Sequence, residues 1–547
     1  MQPLIRTLLM LLCLSSTLNA QFVMEYASEG KNVRFTALAK LNGNYLAAGT
    51  EGKKIILAEI RPNGTLVRTV NLHVLNTETE HPVKSMIVDG DLNIVIAGYR
   101  DPINEVASEA FVLKYNWNAD SLLWCTKFDS PGSNFFKIIE KGAQGNYLVC
   151  GMVRATGLET HSVLIEIDRN SGAWNFLNVS SHNPYNDTYY AIDASATNIY
   201  ATSRQQFYGG SGDKMRGGIT KFDMSGNPIY NYTYLRDTSG YARLYGADIL
   251  AQTKKIISLY CGSGASTYPS RDLYAVTSKL NGDVKWAKRF DITTTVDDGT
   301  WLSIKPVGPN YLIAGSMYNP SDPNGYGHGG KIFVIYCTSL GNIIWANSYE
   351  IYSDYYYYLG HTDLLMVEGD YFVLAGAIKN DVTNKYHGAL LQAKIEDGVL
   401  ESGCSTPLSV TVTDEIPLKQ ASNLYDAGDT YITSNPAAPV TTSPLYEYSS
   451  YCTSDSIVVI GDVKLALQYN TVYLEPLQTS FVFSNVTDVT EGYLRIFNME
   501  GKLMLEENMS FPTNQSVHVN NLPAGVYILH VFDSGGQTLL SKKFIKN

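Results

Sequence analysis

The chain has 547 residues, 45% of them hydrophobic and 17% charged, which excludes a disordered polymer and leaves room for about three domains. Its 41 basic and 52 acidic side chains give a net charge of −11, and no Lys/Arg cluster stands against that field, so a nucleic-acid partner is excluded as well. With 45 glycines, 39 tyrosines and only 20 prolines, the composition suits short aromatic strands joined by tight turns, and an all-β chain is expected.

Residues 1–20 place Arg6 ahead of an apolar run at 8–14, followed by Ser15, Ser16, Thr17 and the pair Asn19-Ala20. This is the order of a secretory signal peptide cut after Ala20, and its apolar core is too short to span a bilayer. No other stretch stays apolar for the roughly 18 residues that a membrane helix needs, so no transmembrane segment is expected.

Residues 21–402 repeat themselves. An Asn or Asp, an aromatic or aliphatic residue and a short apolar run ending in Gly recur as Asn44-Tyr45-Leu46-Ala47-Ala48-Gly49, Asn93-Ile94-Val95-Ile96-Ala97-Gly98 and Asn146-Tyr147-Leu148-Val149-Cys150-Gly151. Further copies begin at Asn310 and Asp370, with degenerate ones at Asn198 and Ile256. A second element follows most of them: a strand, a turn at Asn63-Gly64, Ser171-Gly172, Ser225-Gly226, Asn281-Gly282 or Gly341-Asn342, and a strand that often opens with Trp, as at Trp286 and Trp345. These dipeptides predict two-residue hairpins, for which they supply the positive φ. With the run before each first element, every repeat reads as four antiparallel strands, and about 50 residues per repeat is the arithmetic of a β-propeller.

The segments Gly217-Gly218-Ile219-Thr220-Lys221-Phe222-Asp223-Met224-Ser225-Gly226-Asn227 and Gly341-Asn342-Ile343-Ile344-Trp345-Ala346 resemble the seven-bladed repeat propellers of exported bacterial proteins. The resemblance implies a seven-bladed β-propeller of four-stranded antiparallel blades over 21–402. Phe22-Val23-Met24-Glu25-Tyr26 is similar to the outer strands at 286–290 and 345–349, and is expected to complete the last blade and so close the ring.

In such a meander the first-to-second and third-to-fourth turns open on one face and are short here, while the other connections are long. Long loops on a rigid scaffold collect recognition residues, and these are aromatic and polar: Tyr185, Tyr189, Arg204, Tyr208, Arg271, Asp272, Tyr318, Tyr326, Tyr355 and Tyr357 are the candidate ligand-binding set. Flat aromatics with carboxylates and amides favour a glycan or protein ligand; the competing reading is that the tyrosines pack on neighbouring blades. Asp297 with Asp298, or Asp213 opposite Asp272, are conceivable acid and base pairs, yet there is no nucleophile–base signature, no HExxH and no phosphate-binding glycine loop. No catalytic residue, cofactor or metal site is assigned. His328, His361 and His387 read as scattered surface residues, and Cys125, Cys150, Cys261 and Cys337 as buried thiols. A polysaccharide-active hydrolase or lyase remains the alternative to a binding or adhesion module.

Residues 403–456 carry no repeat motif and read as a linker or irregular extension. Cys404 and Cys452 bracket it as a candidate disulfide, which on the chain-entropy estimate is worth about 4 kcal/mol. Residues 457–547 restart as short strands suited to a small immunoglobulin-like β-sandwich. Leu494-Arg495-Ile496-Phe497-Asn498-Met499-Glu500-Gly501-Lys502, then Asn521-Leu522-Pro523-Ala524-Gly525-Val526-Tyr527, then Lys542-Lys543-Phe544-Ile545 resemble the type A C-terminal sorting domain of the Bacteroidetes type IX secretion system. The resemblance implies sorting roles for Gly501, Leu522, Gly525, Tyr527, Lys543 and Phe544. It also implies the translocon as a partner and a destination outside the cell or on its outer surface.

Overall fold

The computed structural model describes residues 21–28, 31–72, 83–100, 109–129, 134–142, 145–154, 160–181, 187–209, 212–235, 243–263, 271–292, 302–317, 331–352, 364–380, 385–400, 404–415 and 418–421. Beyond these it describes 425–426, 432–434, 440–441, 447–450, 464–466, 471–474, 480–484, 491–498, 502–510, 515–519, 521–523, 525–533 and 538–546. The expected export signal at 1–20 lies outside them. Among the described residues there is no helix, and strands pair antiparallel throughout.

The described residues form seven four-stranded units in chain order: 33–72, 83–129, 134–181, 187–235, 243–292, 302–352, and a seventh made of 365–394 with Phe22–Ala27. Phe22–Ala27 pairs with Lys385–Lys394, with Met24 opposite Leu390, so the N-terminal strand completes the last unit as expected. Apolar clusters run from each unit to the next, and a single cluster joins the sixth, the seventh and the first.

The repeat motif lies on the second strand. That strand is covered on both faces, so its sequence is a continuous apolar run instead of an alternation: 45–49 are all buried. The Gly that ends the motif answers to close approach. A Cβ on Gly315 would lie 2.5 Å from the Phe333 ring, and one on Gly49 would meet the Arg34 carbonyl where the first strand bulges between Phe35 and Ala37.

The hairpins after the third strands differ from the two-residue turns that the dipeptides suggest. At Asp223–Asn227 the Gly226 amide donates to Asp223 O and the Asp223 amide to Asn227 O; only the glycine has positive φ, and the register shifts beside it. This is a three-residue loop with a glycine bulge, which Asn-Gly and Ser-Gly satisfy equally. A true two-residue turn is Asn42-Gly43, where both φ angles are positive and Leu41 faces Asn44.

At most of the seven junctions fourth-strand side chains latch a unit to the turn of the next. Thr126 Oγ1 donates to Gly172 O at 2.6 Å, Tyr234 to Gly282 O at 3.4 Å, Trp286 Nε1 to Ser339 O at 3.2 Å and Trp345 Nε1 to Ile395 O at 2.9 Å. Tyr349 donates to Gly398 O at 2.6 Å, and Tyr26 of the seventh unit to Gly64 O of the first at 2.7 Å. The recurring Trp is thereby explained, and so is its glycine partner about 50 residues later: a Cβ on Gly398 would lie 2.6 Å from the Trp345 indole. Such latches satisfy turn carbonyls that burial would otherwise leave unpaired.

The segment expected as a linker or irregular extension is neither. Ser405–Pro407 adds to the fourth strand of unit six, Val410–Glu415 to that of unit five and Leu418–Ala421 to that of unit four. Tyr425–Asp426, Ile432–Ser434 and Val440–Thr441 follow on units three, two and one, and Glu447–Ser450 finishes on Phe22–Ala27 of unit seven. The physical reason is that each outermost strand would otherwise present unpaired backbone groups, which a polar extended chain can satisfy without a hydrophobic motif. Cys404, at its start, is buried and disulfide-bonded. Beyond it, two four-stranded sheets lie in 464–518 and 491–546.

Candidate functional site

The two ends of the units differ in chemistry. At the end of the short turns, charge is neutralised internally. Lys114 Nζ sits 2.9 Å from Asp89 Oδ2 and donates to Arg169 O at 3.0 Å, and the Tyr147 hydroxyl donates to Asp89 Oδ2 at 2.9 Å. Burial pushes the Asp89 carboxyl up, but the Lys114 ammonium, the Asn93 N–H groups and the Tyr147 hydroxyl outweigh it and hold Asp89 well below the usual carboxylate range. Tyr147 is the aromatic of the repeat motif, and its phenol is driven up chiefly by burial and then by Asp89. The same position in other units does similar work: Tyr311 donates to Gln252 Oε1 at 3.3 Å under the Lys255 ammonium, and Tyr45 bonds Gln392 beside Lys40. A buried Lys and a perturbed Asp are a candidate acid–base pair on chemistry alone. Here Lys114 and Asn93 belong to the same unit as Asp89, while Tyr147 and the Arg169 carbonyl come from the next, and we read the cluster as a latch.

Nearer the first strands, Asp193 Oδ2 accepts the Ala251 N–H at 2.6 Å and Asp248 Oδ2 accepts the Ile304 N–H at 2.8 Å, each reaching into the next unit. Burial raises the Asp193 carboxyl despite the Ala251 and Ala194 N–H groups.

The opposite end carries the long connections, and arginine gathers there. Arg100 and Arg154 are the last residues of their second strands, while Arg243 and Arg271 are the first of theirs in unit five, both in register with Ser263. Arg204 and Arg216 lie on the Asn198–Gly209 and Gly212–Asp223 pair, whose 12-residue strands outreach the usual eight. The Ser203–Gly217 stretch, expected as a loop, is thus a projecting hairpin, in which Tyr208 faces Asp213 and Gln205 faces Arg216. Burial lowers the Arg216 guanidinium from its ordinary value. In unit one, Arg34 stacks over Tyr386 at 4.4 Å. Units six and seven present side-chain pairs at this end, Lys331 with Glu350 and His387 with Glu25, as unit one does with Lys31 and Glu51.

Of the candidate ligand-binding residues, Arg204, Tyr208, Arg271 and Asp272 fall on strands at this end, in neighbouring units four and five. Tyr189 does not belong with them: it is fully buried and packs edge-on against Phe222 at 5.8 Å, a core residue of unit four. Tyr185, Tyr318, Tyr326, Tyr355 and Tyr357 lie outside the described residues, as do His328 and His361. Two of the rim arginines were legible just past the glycine of the repeat motif, two residues after Gly98 at Arg100 and three after Gly151 at Arg154. Among the described residues no group of three or more His, Cys, Asp or Glu side chains is placed to hold a metal.

In the tail, Leu522 and Tyr527 are buried, and the Tyr527 hydroxyl donates to Pro523 O at 2.7 Å. Gly525 pairs with Lys546 and Tyr527 with Phe544, which joins two of the three sorting segments in one sheet; Lys543 faces Ile528 there. Gly501 and Cys452 lie outside the described residues.

No curated protein matches the chain. Among solved structures it is similar to a protein of unknown function from Bacteroides caccae, with 14% identity over 49% of this chain and 93% of that one and a TM-score of 0.30. It is also similar to the polysaccharide lyase Uly1, at 10% identity, 66% and 90% coverage and a TM-score of 0.39. A third is a Penicillium chrysogenum alpha-L-arabinanase complexed with arabinobiose, at 12% identity, 57% and 93% coverage and a TM-score of 0.36. Likenesses this distant transfer no activity. Residues 471–547 match the secretion system C-terminal sorting domain family, and the chain is accordingly a cargo of type IX secretion, exported to the cell surface or beyond it.

Proposed function

We propose that the seven units are the blades of a β-propeller delivered by its signal peptide and its immunoglobulin-like sorting domain, and that it serves outside the cell as a binding or adhesion module. The ligand is a glycan or protein surface carrying acidic groups, held at the end where the long connections open. One observation carries this reading: in a chain of net charge −11, arginines recur toward that face in five consecutive units, at or beside a strand end at Arg34, Arg100, Arg154, Arg243 and Arg271 and on the extended hairpin of unit four at Arg204 and Arg216. Guanidinium groups recognise carboxylates and sulfates bidentately, and a rigid strand end orients them. The opposite end has short turns and charges already paired within the scaffold.

The test is a glycan array probed with the mature chain, comparing uronate- and sulfate-bearing glycans with neutral ones at two salt concentrations. Salt-sensitive retention on acidic glycans supports the reading, since screening weakens exposed charge contacts. Equal retention on neutral glycans, or none on any acidic glycan or acidic protein, overturns the ligand class. A polysaccharide degradation screen run in parallel would favour the hydrolase or lyase alternative if it released new chain ends.

A further inference from the structure

The added strands from Ser405 to Ser450 begin on unit six and visit units five, four, three, two and one before ending on unit seven. They start at 405, 410, 418, 425, 432, 440 and 447, about seven residues apart, and seven extended residues span at most about 24 Å, enough to step from one outer edge to the next. Units six and seven are themselves neighbours, paired at Tyr352 and Ala377. The segment therefore goes round the outer edges the long way and returns to the sector beside its origin.

Its first end is anchored. The Glu350 N–H donates to Cys404 O at 3.3 Å, the Leu408 N–H to Ala346 O at 2.9 Å and Ser348 Oγ to Thr406 O at 3.4 Å. Cys404 is disulfide-bonded, while Cys125, Cys150, Cys261 and Cys337 are free. Of the remaining cysteines, Cys13 lies in the expected export signal and Cys452 follows the last added strand by two residues.

We propose that a Cys404–Cys452 bond clasps this segment into a covalent hoop that encircles all seven units and pins their outer strands. Its formation takes two protons and two electrons from the two thiols and passes them to a disulfide-bearing oxidant, which leaves as its dithiol, so the clasp closes only in an oxidising compartment. The hoop caps edges that could otherwise accept a foreign strand. The matched sorting family begins at 471, beyond the clasp, so a pull on the tail or its removal stops at Cys452 and does not peel the hoop.

The test has two parts, both on the mature chain. Trypsin has one site within the hoop, at Lys419, so complete digestion yields peptides 395–419 and 420–464. They should run as one disulfide-linked species until reduced; recovery of either Cys404 or Cys452 as a free thiol, or bonded elsewhere, overturns the clasp. Hydrogen exchange is then compared between the wild type and Cys452→Ala. The variant should lose protection at 447–450 and also at 440–441, 432–434 and 425–426, two- and three-residue strands up to three units away, with Tm lowered by roughly 4 °C. Loss confined to 447–450 would reduce the bond to a local staple and sink the hoop. Should Cys452→Ala not accumulate, the Cys404→Ala/Cys452→Ala pair, which leaves no thiol to mispair, is read in the same way.

Discussion

The turn end and the loop end of this molecule are made from the same seven meanders, yet they use charge in opposite ways. At the turn end, ions and phenols are spent on the scaffold: Lys114, Asp89 and Tyr147 join units two and three, and Tyr349 and Trp345 join units six and seven. At the loop end, arginines stand at strand termini beneath the long connections. A face whose polar groups already have partners within the fold is inert toward ligands, and substituting them costs stability. A face on which arginine recurs in consecutive units of an acidic chain is kept for another reason, and substituting those residues should cost binding.

The largest effect expected from this contrast is at a latch. Trp345→Ala removes an indole that packs on Phe372 at 5.9 Å, fills the space over Gly398 and satisfies the Ile395 carbonyl. We expect about 3 kcal/mol of destabilisation in denaturant unfolding, with ligand retention by the folded fraction unchanged. A loss below about 1 kcal/mol would mean that the Trp is a surface residue and the latch incidental.

Next in size is Asp89→Asn, expected to cost about 2 kcal/mol at pH 7 because it weakens charge-assisted bonds to Lys114. The sign of its pH dependence follows from the depressed carboxyl. Its stabilisation is complete above the unfolded carboxylate range, near pH 4, and fades as pH falls below that. Urea midpoints measured at pH 7 and pH 3 should therefore show the gap between wild type and variant beginning to narrow at the lower pH, and closing only where the pH falls through the depressed carboxyl itself. A gap of the same size at both would remove ionisation from the account. Tyr349→Phe is a smaller version of the same test: about 1 kcal/mol for one lost bond to the Gly398 carbonyl, with the packing kept.

Much of the scaffold was legible because its inner strands are covered on both faces. Asn44 to Gly49 and Asn310 to Gly315 read as apolar runs only where no alternation is needed, and the glycines mark bulges and close approaches that no other residue fits. Aromatic residues misled. Ten tyrosines, among them Tyr45, Tyr147, Tyr189 and Tyr311, are with Phe35 the largest fully buried side chains of the described residues, because a phenol fills a gap between units and still reaches a polar atom across it. Tyrosine richness therefore says less about ligands than it suggests. The circumferential segment was illegible for the converse reason. Its strands are two to six residues long and join the units as backbone ladders, in which Ser, Thr, Asp and Lys serve as well as Val, and only the seven-residue spacing betrays it.

The smallest expected effect on stability is also the sharpest probe of the contrast. Arg216 lies on the projecting hairpin of unit four beside Gly217, over which the Tyr260 ring closes, and burial there works against its charge. Arg216→Gln keeps most of the side chain's length and some of its donors while removing that charge, so unfolding free energy should change by less than about 1 kcal/mol in either direction. Retention on an acidic glycan or acidic protein surface should fall at least tenfold at low salt and differ little from wild type at high salt, where both are screened. If the variant instead unfolds as readily as Trp345→Ala while the folded fraction binds normally, the guanidinium belongs to the scaffold, and the loop end would be built on the same terms as the turn end.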